Sequence, residues 1–443
     1  MKHCDTLIAP RWCIPVRPAG RVLEEHAVAV TDGRIAEVLP RSEALRRYQP
    51  SVMLERPSHA LIPGLVNAHT HAAMTLLRGF ADDLPLERWL ADGIWPTERR
   101  WVGAEFVRDG TQLAIAEMLL GGTTCFSDQY FFPEIVAETA IAMEMRAVIG
   151  TPVIDFPTAW AATPAEYLDK ASDLVHDRFA DHPLITTCFA PHSTYSVSDA
   201  TFRDLRVLAD QLDVPIQIHL HETAVEVDEA LRTTGMRPFD RLEQLGLVNA
   251  SLLAVHAVHM NDSEIARMAD AGVRVAHCPK SNLKLASGIA PVQRFLDAGL
   301  RIGFGTDSAA SNNRLDMFSE LQTGALLGKV KAGSAAAVDA VAALTMATAG
   351  AADALGLGEL TGSIETGKAA DLACVDLGRV SAQPVYHPIS QLVYATSAEQ
   401  VSDVWVTGRH VVAGGELTHA DLDSILARCE EWRARLSAGG TPE

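Results

Sequence analysis

The chain has 443 residues, which suits one large domain accompanied by a smaller one, and 48% of them are hydrophobic, as in ordinary globular proteins. It carries 37 Lys and Arg against 56 Asp and Glu, a formal net charge of −19. Because such an acidic surface repels phosphate backbones and anionic membranes, we expect neither nucleic acid nor a membrane as a partner.

The cysteines and the N-terminal segment indicate a protein of the cytoplasm. The chain has seven cysteines, an odd number, and none of them form a C-x-x-C pair. We therefore expect neither a disulfide framework nor a thiolate zinc site, and a reducing compartment fits best. The N-terminus lacks an apolar stretch of signal-peptide length, and no apolar run reaches the roughly 20 residues that span a bilayer.

In chain order, residues 1–57 are rich in short apolar stretches with turns such as Asp32-Gly33, which predicts β structure. From residue 58 to 362, strand-like runs alternate with amphipathic helical stretches. Residues 363–443 are again β-rich and finish in an amphipathic helix, predicted at about 418–437 from the capping-box spacing of Thr418 and Asp421. The two terminal segments are expected to pair into a small β-sandwich domain.

The middle segment is predicted to form an α/β fold, a (β/α)₈ TIM barrel, because it contains eight strand-like runs separated by helices. An open, doubly wound sheet is the alternative, although the glycine-rich dinucleotide fingerprint that would support it is absent from the sequence. The eight runs are LIPGLVNAH, GTTCFSD, AVIGTPV, LITTCFAPH, VPIQIHLHE, LLAVHAV, VRVAHCP and RIGFGTD.

Polar residues that end these runs are candidates for the active site, because barrels of this kind place their chemistry at the carboxyl ends of the strands. The first run ends in His69 and His71, which lie two residues apart and therefore point to the same side. The fifth run ends in His219, His221 and Glu222, and either histidine is a candidate ligand. The spacing places Glu222 just past the strand end; its alternative role is that of a solvated residue at a helix start.

Three further strand ends add to this group. His192 ends the fourth run, His256 the sixth, and Asp307 the eighth. Neutral imidazoles together with one carboxylate suit Zn²⁺, and Fe²⁺ and Mn²⁺ accept the same ligands. The sequence therefore predicts a divalent metal ion in the barrel.

The segments PGLVNAHTH, HLHE, VHAVHM and GTDSAASNN together resemble the amidohydrolase superfamily, over almost the whole chain and including the late segment GSIETGKAADLACVD. AHTHAAMTLLRGFADDLPLERWL and the following IWPTE are similar to the methylthioadenosine/S-adenosylhomocysteine deaminases, relatives of chlorotriazine and ammeline hydrolases. Two-metal members of the superfamily bridge their ions with a carboxylated lysine after the fourth strand. That run has no lysine here, which favours a single ion.

The resemblance implies the role of each site residue. The metal ligands would be His69, His71, His219 and Asp307, and the substrate-binding residues would be Glu98, His192, Glu222 and Asp307. Glu98 would bind the ribose hydroxyls and Glu222 would contact the purine ring. The alternative role of Glu98 is that of a charge at a helix start. A homodimer or tetramer is also implied.

We therefore predict hydrolytic deamination of an adenine ring in a small nucleoside, with Glu222, His256 and Asp307 handling the protons. The alternatives are dechlorination of a triazine or an N-ethylammeline-type substrate, deamination of another aromatic ring, cleavage of a cyclic amide and, in another class, a non-catalytic binding protein on a barrel scaffold. Loops 72–95 and 155–165 are expected to shape the pocket for the 5′ substituent. Their aromatic residues are Trp89, Trp95, Phe156 and Trp160.

Overall fold

Eight parallel strands, β6–β13, follow one another around a barrel within residues 1–438, the part of the chain that the computed structural model describes. They correspond to the eight runs of the sequence, and the predicted fold class is confirmed. The strands are β1 (Lys2–Cys13), β2 (Leu23–Glu24), β3 (His26–Thr31), β4 (Arg34–Pro40), β5 (Tyr48–Pro63), β6 (Leu65–Thr70), β7 (Thr123–Gln129), β8 (Arg146–Val153), β9 (Ile185–Pro191), β10 (Ile216–Leu220), β11 (Leu252–His256), β12 (Arg274–His277), β13 (Arg301–Phe304), β14 (Leu372–Asp376), β15 (Val401–Val406), β16 (Arg409–Ala413) and β17 (Glu416–Leu417).

Helices connect the barrel strands and surround them, as the alternation of the sequence predicts, and three further helices lie in the described part of the terminal segments. They are α1 (Arg41–Arg47), α2 (Leu86–Arg88), α3 (Trp95–Trp101), α4 (Ala104–Leu120), α5 (Pro133–Ala142), α6 (Pro164–Lys170), α7 (Asp177–Phe179), α8 (Asp199–Leu212), α9 (Ala224–Thr234), α10 (Pro238–Gln244), α11 (Asp262–Ala271), α12 (Pro279–Lys284), α13 (Val292–Asp297), α14 (Ala309–Asn312), α15 (Met317–Ala332), α16 (Ala340–Met346), α17 (Ala349–Ala354), α18 (Pro388–Tyr394) and α19 (Leu422–Ala438). Short 3₁₀ turns lie at Ala72–Leu77, Val380–Ala382 and Ala398–Gln400, and π-helical turns at Trp89–Ile94 and Ala171–His176.

The barrel strands are buried on both faces, since side chains of one face fill the interior and those of the other meet the helices. Every residue of β6, β7, β8, β10 and β11 is buried. This explains why the strands read as nearly continuous apolar runs in the sequence instead of alternating between apolar and polar residues.

The eighth run of the barrel approaches the first strand so closely that its backbone has room only for glycine at the points of contact. A Cβ on Gly305 would lie 2.8 Å from the backbone nitrogen of His69, and one on Gly303 would lie 3.0 Å from the Cβ of Ala68. The backbone N–H of Asp307 donates to the carbonyl of His69 at 3.0 Å. The glycines of the eighth run therefore bring Asp307 beside the two histidines of the first.

The terminal segments form a second, mixed sheet of nine strands within the described residues, here called the β domain. Strand β5 joins its two halves, because it pairs with β1 in parallel and with β14 in the antiparallel direction. It also crosses the boundary predicted at residue 57. The C-terminal helix begins at Leu422 and not near 418: Asp421 Oδ1 accepts from Ser424 N at 3.2 Å, whereas the hydroxyl of Thr418 donates to the carbonyl of His410.

All seven cysteines lie in the described part of the chain and are free, as expected. Within residues 1–438 no helix combines the length and the apolar character needed to cross a membrane.

A buried ion pair fastens the barrel to the β domain. Arg146, on β8, donates from Nε to Asp371 Oδ2 at 2.9 Å, and Asp371 also accepts from the backbone N–H of Thr407 at 2.6 Å. The side chains are only 3% and 0% exposed, so each charge depends on the other for solvation.

Replacing Arg146 by Met should lower the free energy of unfolding by roughly 3–5 kcal/mol, because it leaves the carboxylate of Asp371 buried without its partner. The measurement is equilibrium denaturation. Arg232→Met is the matched control, since its partner Glu229 is 55% exposed, and we expect a change of at most about 0.5 kcal/mol there. A loss below about 1 kcal/mol in the Arg146 variant would contradict this role.

Candidate active site

A cavity of about 540 Å³ opens at the carboxyl ends of the barrel strands. Its size is that of a small-molecule site, and its walls combine apolar side chains with a few polar groups. It brings together residues that the sequence placed on separate strands and loops. The polar residues predicted for the site that line it are His71, Glu98, His192, His219, Glu222, His256 and Asp307.

A cluster of imidazoles and one carboxylate forms the floor of the cavity. The ligand atoms of four buried residues, His69, His219, His256 and Asp307, all lie within 4.8 Å of one another. This group contains His256 in place of His71, which the sequence analysis had named. His71 is nevertheless adjacent, because its Nε2 lies 3.1 Å from Asp307 Oδ1.

Backbone and amide acceptors fix the tautomers of these histidines. The Nδ1 atom of His219 donates to the carbonyl of His192 at 2.7 Å, that of His71 to the carbonyl of Gln129, and that of His256 to Asn282 Oδ1 at 2.8 Å. With the proton on Nδ1, each Nε2 presents a lone pair to the cluster. The Nε2 atoms of His69 and His219 are only 3.2 Å apart, which a shared cation would stabilise. The residues therefore fit a divalent metal ion.

The electrostatics agree with this arrangement. Burial lowers the pKa of His69 to about 4 and holds that of His219 well below its ordinary value, so both are neutral at pH 7. Burial alone would raise the pKa of Asp307, but hydrogen bonds to His69 and His71 outweigh it and keep the carboxylate ionised. Burial likewise opposes a charge on His71, yet Asp307 raises the pKa of that histidine to about 9, which places on Nε2 a second proton that a metal ion would displace. Positive charge is thus favoured beside Asp307 Oδ1.

Two serines hold Asp307 in place. Ser281 and Ser311 donate their hydroxyls to Asp307 Oδ2 at 2.6 and 2.7 Å, which leaves Oδ1 facing the histidines. The backbone of Asp307 is left-handed, with φ of 59°, a conformation that costs a non-glycine residue energy and is found at functional sites.

The fifth strand supplies both a cluster residue and the neighbouring carboxyl group. His219 belongs to the cluster, whereas His221 points away and its Nε2 accepts from the backbone N–H of Phe239 at 3.1 Å. Glu222 is buried, and its Oε2 lies 3.8 Å from His256 Nε2. Burial raises the pKa of Glu222, so it is not the solvated residue of the alternative reading.

Glu98 and His192 occupy the wall of the cavity. Glu98 lies on α3 but is half-buried, and its Oε1 accepts from the hydroxyl of Tyr130 at 2.7 Å. Burial raises its pKa to about 7 despite that hydrogen bond. The ring of His192 lies 5.2 Å from that of His219. Glu98 therefore faces the cavity and is not simply a charge at a helix start.

Aromatic side chains cover the mouth of the cavity. Trp89, Trp95 and Phe156 line it as expected, and the rings of Trp95 and Phe156 meet edge-on at 6.4 Å. The expectation for Trp160 differs from the structure: this residue is 3% exposed and its Nε1 donates to Glu134 Oε2 at 3.1 Å.

The residues that support the site are not among those predicted from the sequence. Ser281 and Asn282 follow the seventh run, in the segment HCPKSN, and Ser311 lies in GTDSAASNN. Polar residues that follow a barrel strand are a usable signal for the first two. Tyr130 counts as an apolar residue in a hydrophobicity pattern. The pattern therefore does not reveal that its hydroxyl bonds Glu98, which lies in a different segment.

Comparison with known proteins identifies a matching family and similar proteins. A model of the amidohydrolase family matches residues 60–411. The chain is 46% identical to a 5-methylthioadenosine/S-adenosylhomocysteine deaminase from Teredinibacter turnerae, over 98% of each protein, and 38% identical to one from Aquifex aeolicus, over 93% of this chain and 94% of that protein.

Solved structures give the same result. The fold matches an adenosine deaminase from Xanthomonas campestris with bound zinc, at a TM-score of 0.98 and 50% identity over 99% of each chain. It also matches a zinc-bound atrazine chlorohydrolase from Arthrobacter aurescens, at a TM-score of 0.90 and 25% identity, over 96% of this chain and 99% of the other.

Proposed function

Because the chain belongs to the amidohydrolase family, we propose that it removes the amino group from the adenine ring of 5′-methylthioadenosine and S-adenosylhomocysteine. The products are the inosine-type nucleoside and ammonia. Adenosine is a further candidate substrate, since one solved relative is described as an adenosine deaminase. The observation that carries the proposal is the buried carboxyl group of Glu222, 3.8 Å from His256 beside the metal cluster.

Two coarser expectations from the sequence are confirmed. The chain is a hydrolase that acts on C–N bonds, as the family match and the deaminases among its relatives establish. It uses one divalent metal ion, for which zinc is the ion bound in the two solved relatives.

We assign the metal ligands as His69, His71, His219 and Asp307. His71 supports this assignment because its Nε2 lies 3.1 Å from Asp307 Oδ1. A cation bound by both atoms would be stabilised by the imidazole lone pair and by the carboxylate charge. His256 is then left to face Glu222, and its Nε2 can exchange protons with substrate water. This assignment reserves His256 for proton transfer, although His256 and not His71 is one of the four residues whose ligand atoms lie within 4.8 Å of one another.

When bound, the ion lowers the pKa of a water molecule toward 7 and so supplies a nucleophile at neutral pH. Asp307 would accept the proton that the attacking water gives up, directly or through His256. As C6 of the adenine is attacked, negative charge develops on N1, and Glu222 protonates that atom. Asp307 then passes the proton taken from the water to the departing amine, and Glu222, deprotonated by its donation to N1, recovers a proton from the C6 hydroxyl as the carbonyl forms. A raised pKa lets Glu222 hold its proton closer to neutral pH than an exposed carboxyl would.

Glu98 and His192 orient the nucleoside for this attack. The Glu98 carboxyl is held by Tyr130 on the cavity wall, where it can accept hydrogen bonds from ribose hydroxyls. The aromatic side chains at the mouth then face the 5′ substituent.

Dechlorination of a triazine is the second candidate, because a solved relative is an atrazine chlorohydrolase. Chloride leaves without a proton, whereas an amine needs a donor. The buried Glu222 therefore favours deamination. A non-catalytic barrel protein is disfavoured because the cluster of imidazoles and Asp307 is complete.

Four histidine-to-asparagine variants test the ligand assignment by elemental analysis of the purified proteins. His71→Asn and His219→Asn should lose most of the bound metal, because each removes a lone pair that we assign to the ion. His256→Asn should retain metal and lose turnover. His221→Asn is the control, since His221 points away from the cluster and asparagine tolerates its left-handed backbone, with φ of 51°. Full metal content in His71→Asn with loss in His256→Asn would reverse the two roles.

Replacing Glu222 by Gln should reduce the rate of deamination by roughly 10²–10⁴, the usual contribution of a general acid. The assay follows the change in ultraviolet absorption as adenine becomes hypoxanthine. Glu229→Gln is the control, because this residue lies on the exposed face of α9 and pairs with Arg232. Unchanged turnover in the Glu222 variant would rule out its role as proton donor.

A further inference from the structure

The first turn of α9 holds the strand end that carries Glu222. Thr223 caps this helix, and its hydroxyl accepts from the backbone N–H of Glu226 at 3.1 Å. The Glu226 side chain turns back in the opposite direction. Its Oε2 accepts from the backbone N–H of Glu222 at 2.8 Å, and its Oε1 accepts from that of His221 at 3.2 Å. One carboxyl group thus binds two successive peptide groups.

These peptide groups lie where the chain must turn sharply out of the barrel. His221 follows the last residue of β10 and has a left-handed backbone, with φ of 51°. The turn directs the side chain of His221 away from the cluster and that of Glu222 into the cavity. A non-glycine residue keeps such a conformation only where its surroundings determine it. The two hydrogen bonds from Glu226 are part of those surroundings.

We propose that Glu226 is a positioning residue for proton transfer: it holds the backbone of Glu222 so that the Glu222 carboxyl group stays beside His256 and within reach of the substrate. The proposal rests on the proposed function, because it takes Glu222 as the proton donor. Glu226 acts through Glu222 and does not itself touch the substrate.

A purely structural role for Glu226, as an ordinary helix cap, is the competing explanation. Capping boxes occur at many helix starts and stabilise the helix whatever its function. Thr223 offers a way to separate the two roles. Its hydroxyl caps the same helix through the N–H of Glu226 but does not bind the N–H of Glu222 or His221. Thr223→Ala therefore weakens the helix start and leaves the bonds at the Glu222 turn in place.

Glu226→Gln is the informative variant because it keeps the size of the side chain. Its amide NH₂ must face one of the two backbone N–H groups, a donor against a donor, so one of the two hydrogen bonds is lost. Residues that orient catalytic groups in this way commonly contribute about 10- to 100-fold to activity.

The test is a double-mutant cycle on the zinc-loaded enzyme, with kcat and KM measured for 5′-methylthioadenosine and thermal unfolding measured in parallel. Glu226→Gln should lower kcat roughly 10- to 100-fold with KM changed by no more than about twofold. Thr223→Ala should lower the unfolding midpoint but keep kcat near that of the wild type. In the Glu222→Gln background, Glu226→Gln should cost nothing further, because the group that it positions is gone.

Each other outcome has a defined meaning. Wild-type kcat in Glu226→Gln, or an equal loss in the Glu222→Gln background, would overturn the positioning role. An equal loss of kcat in Thr223→Ala would assign the effect to the helix start alone. Full activity of Glu222→Gln would instead contradict the proposed function.

Discussion

The carboxylate of Asp307 is the group on which the site depends. It is buried and ionised among imidazoles, and a buried charge is costly unless it is paired and hydrogen-bonded. Ser281 and Ser311 satisfy one of its oxygens, so the other faces the histidines of the first strand. A divalent cation completes this arrangement, because it binds the inward lone pairs and balances the carboxylate.

The closure of the barrel creates this contact. Glycines of the eighth strand let it approach the first so closely that the N–H of Asp307 bonds the carbonyl of His69. The carboxyl ends of the intervening strands then direct His192, His219 and His256 toward the same point. The segments that connect the strands supply the other polar groups of the cavity. Helix α3 contributes Glu98, and the start of α9 holds the turn that carries Glu222. The strands and the residues just past their ends thus bear the metal cluster, and the connecting segments bear the groups that we propose to meet the nucleoside.

Much of the barrel and of the metal cluster could be predicted from the sequence, because apolar strand-like runs recur along the chain and polar residues stand at their ends. His69 and His71 share a side two residues apart, and Asp307 follows a glycine-rich run. The same periodicity could not choose between His219 and His221. Strand β10 ends at Leu220, and the left-handed backbone at His221 turns that ring away from the metal cluster, which no alternation of residues reveals.

Contacts between distant segments account for most of the rest. The bond from Tyr130 to Glu98, the serines on Asp307 and the burial of Trp160 against Glu134 all depend on how loops pack. The start of α19 differs from the prediction for a local reason: the hydroxyl of Thr418 donates to the carbonyl of His410 on strand β16, and Asp421 provides the cap. The spacing alone cannot show whether a threonine hydroxyl accepts from a helix N–H, as a cap does, or donates to a carbonyl elsewhere, as Thr418 does.

The most direct test of the account is to incubate the zinc-loaded enzyme separately with 5′-methylthioadenosine, S-adenosylhomocysteine, adenosine and a chlorotriazine, and to quantify ammonia and chloride. We expect one equivalent of ammonia for each molecule of 5′-methylthioadenosine or S-adenosylhomocysteine consumed, with a hypoxanthine ring in the product. Release of chloride from the triazine, without ammonia from any of the three nucleosides, would contradict it.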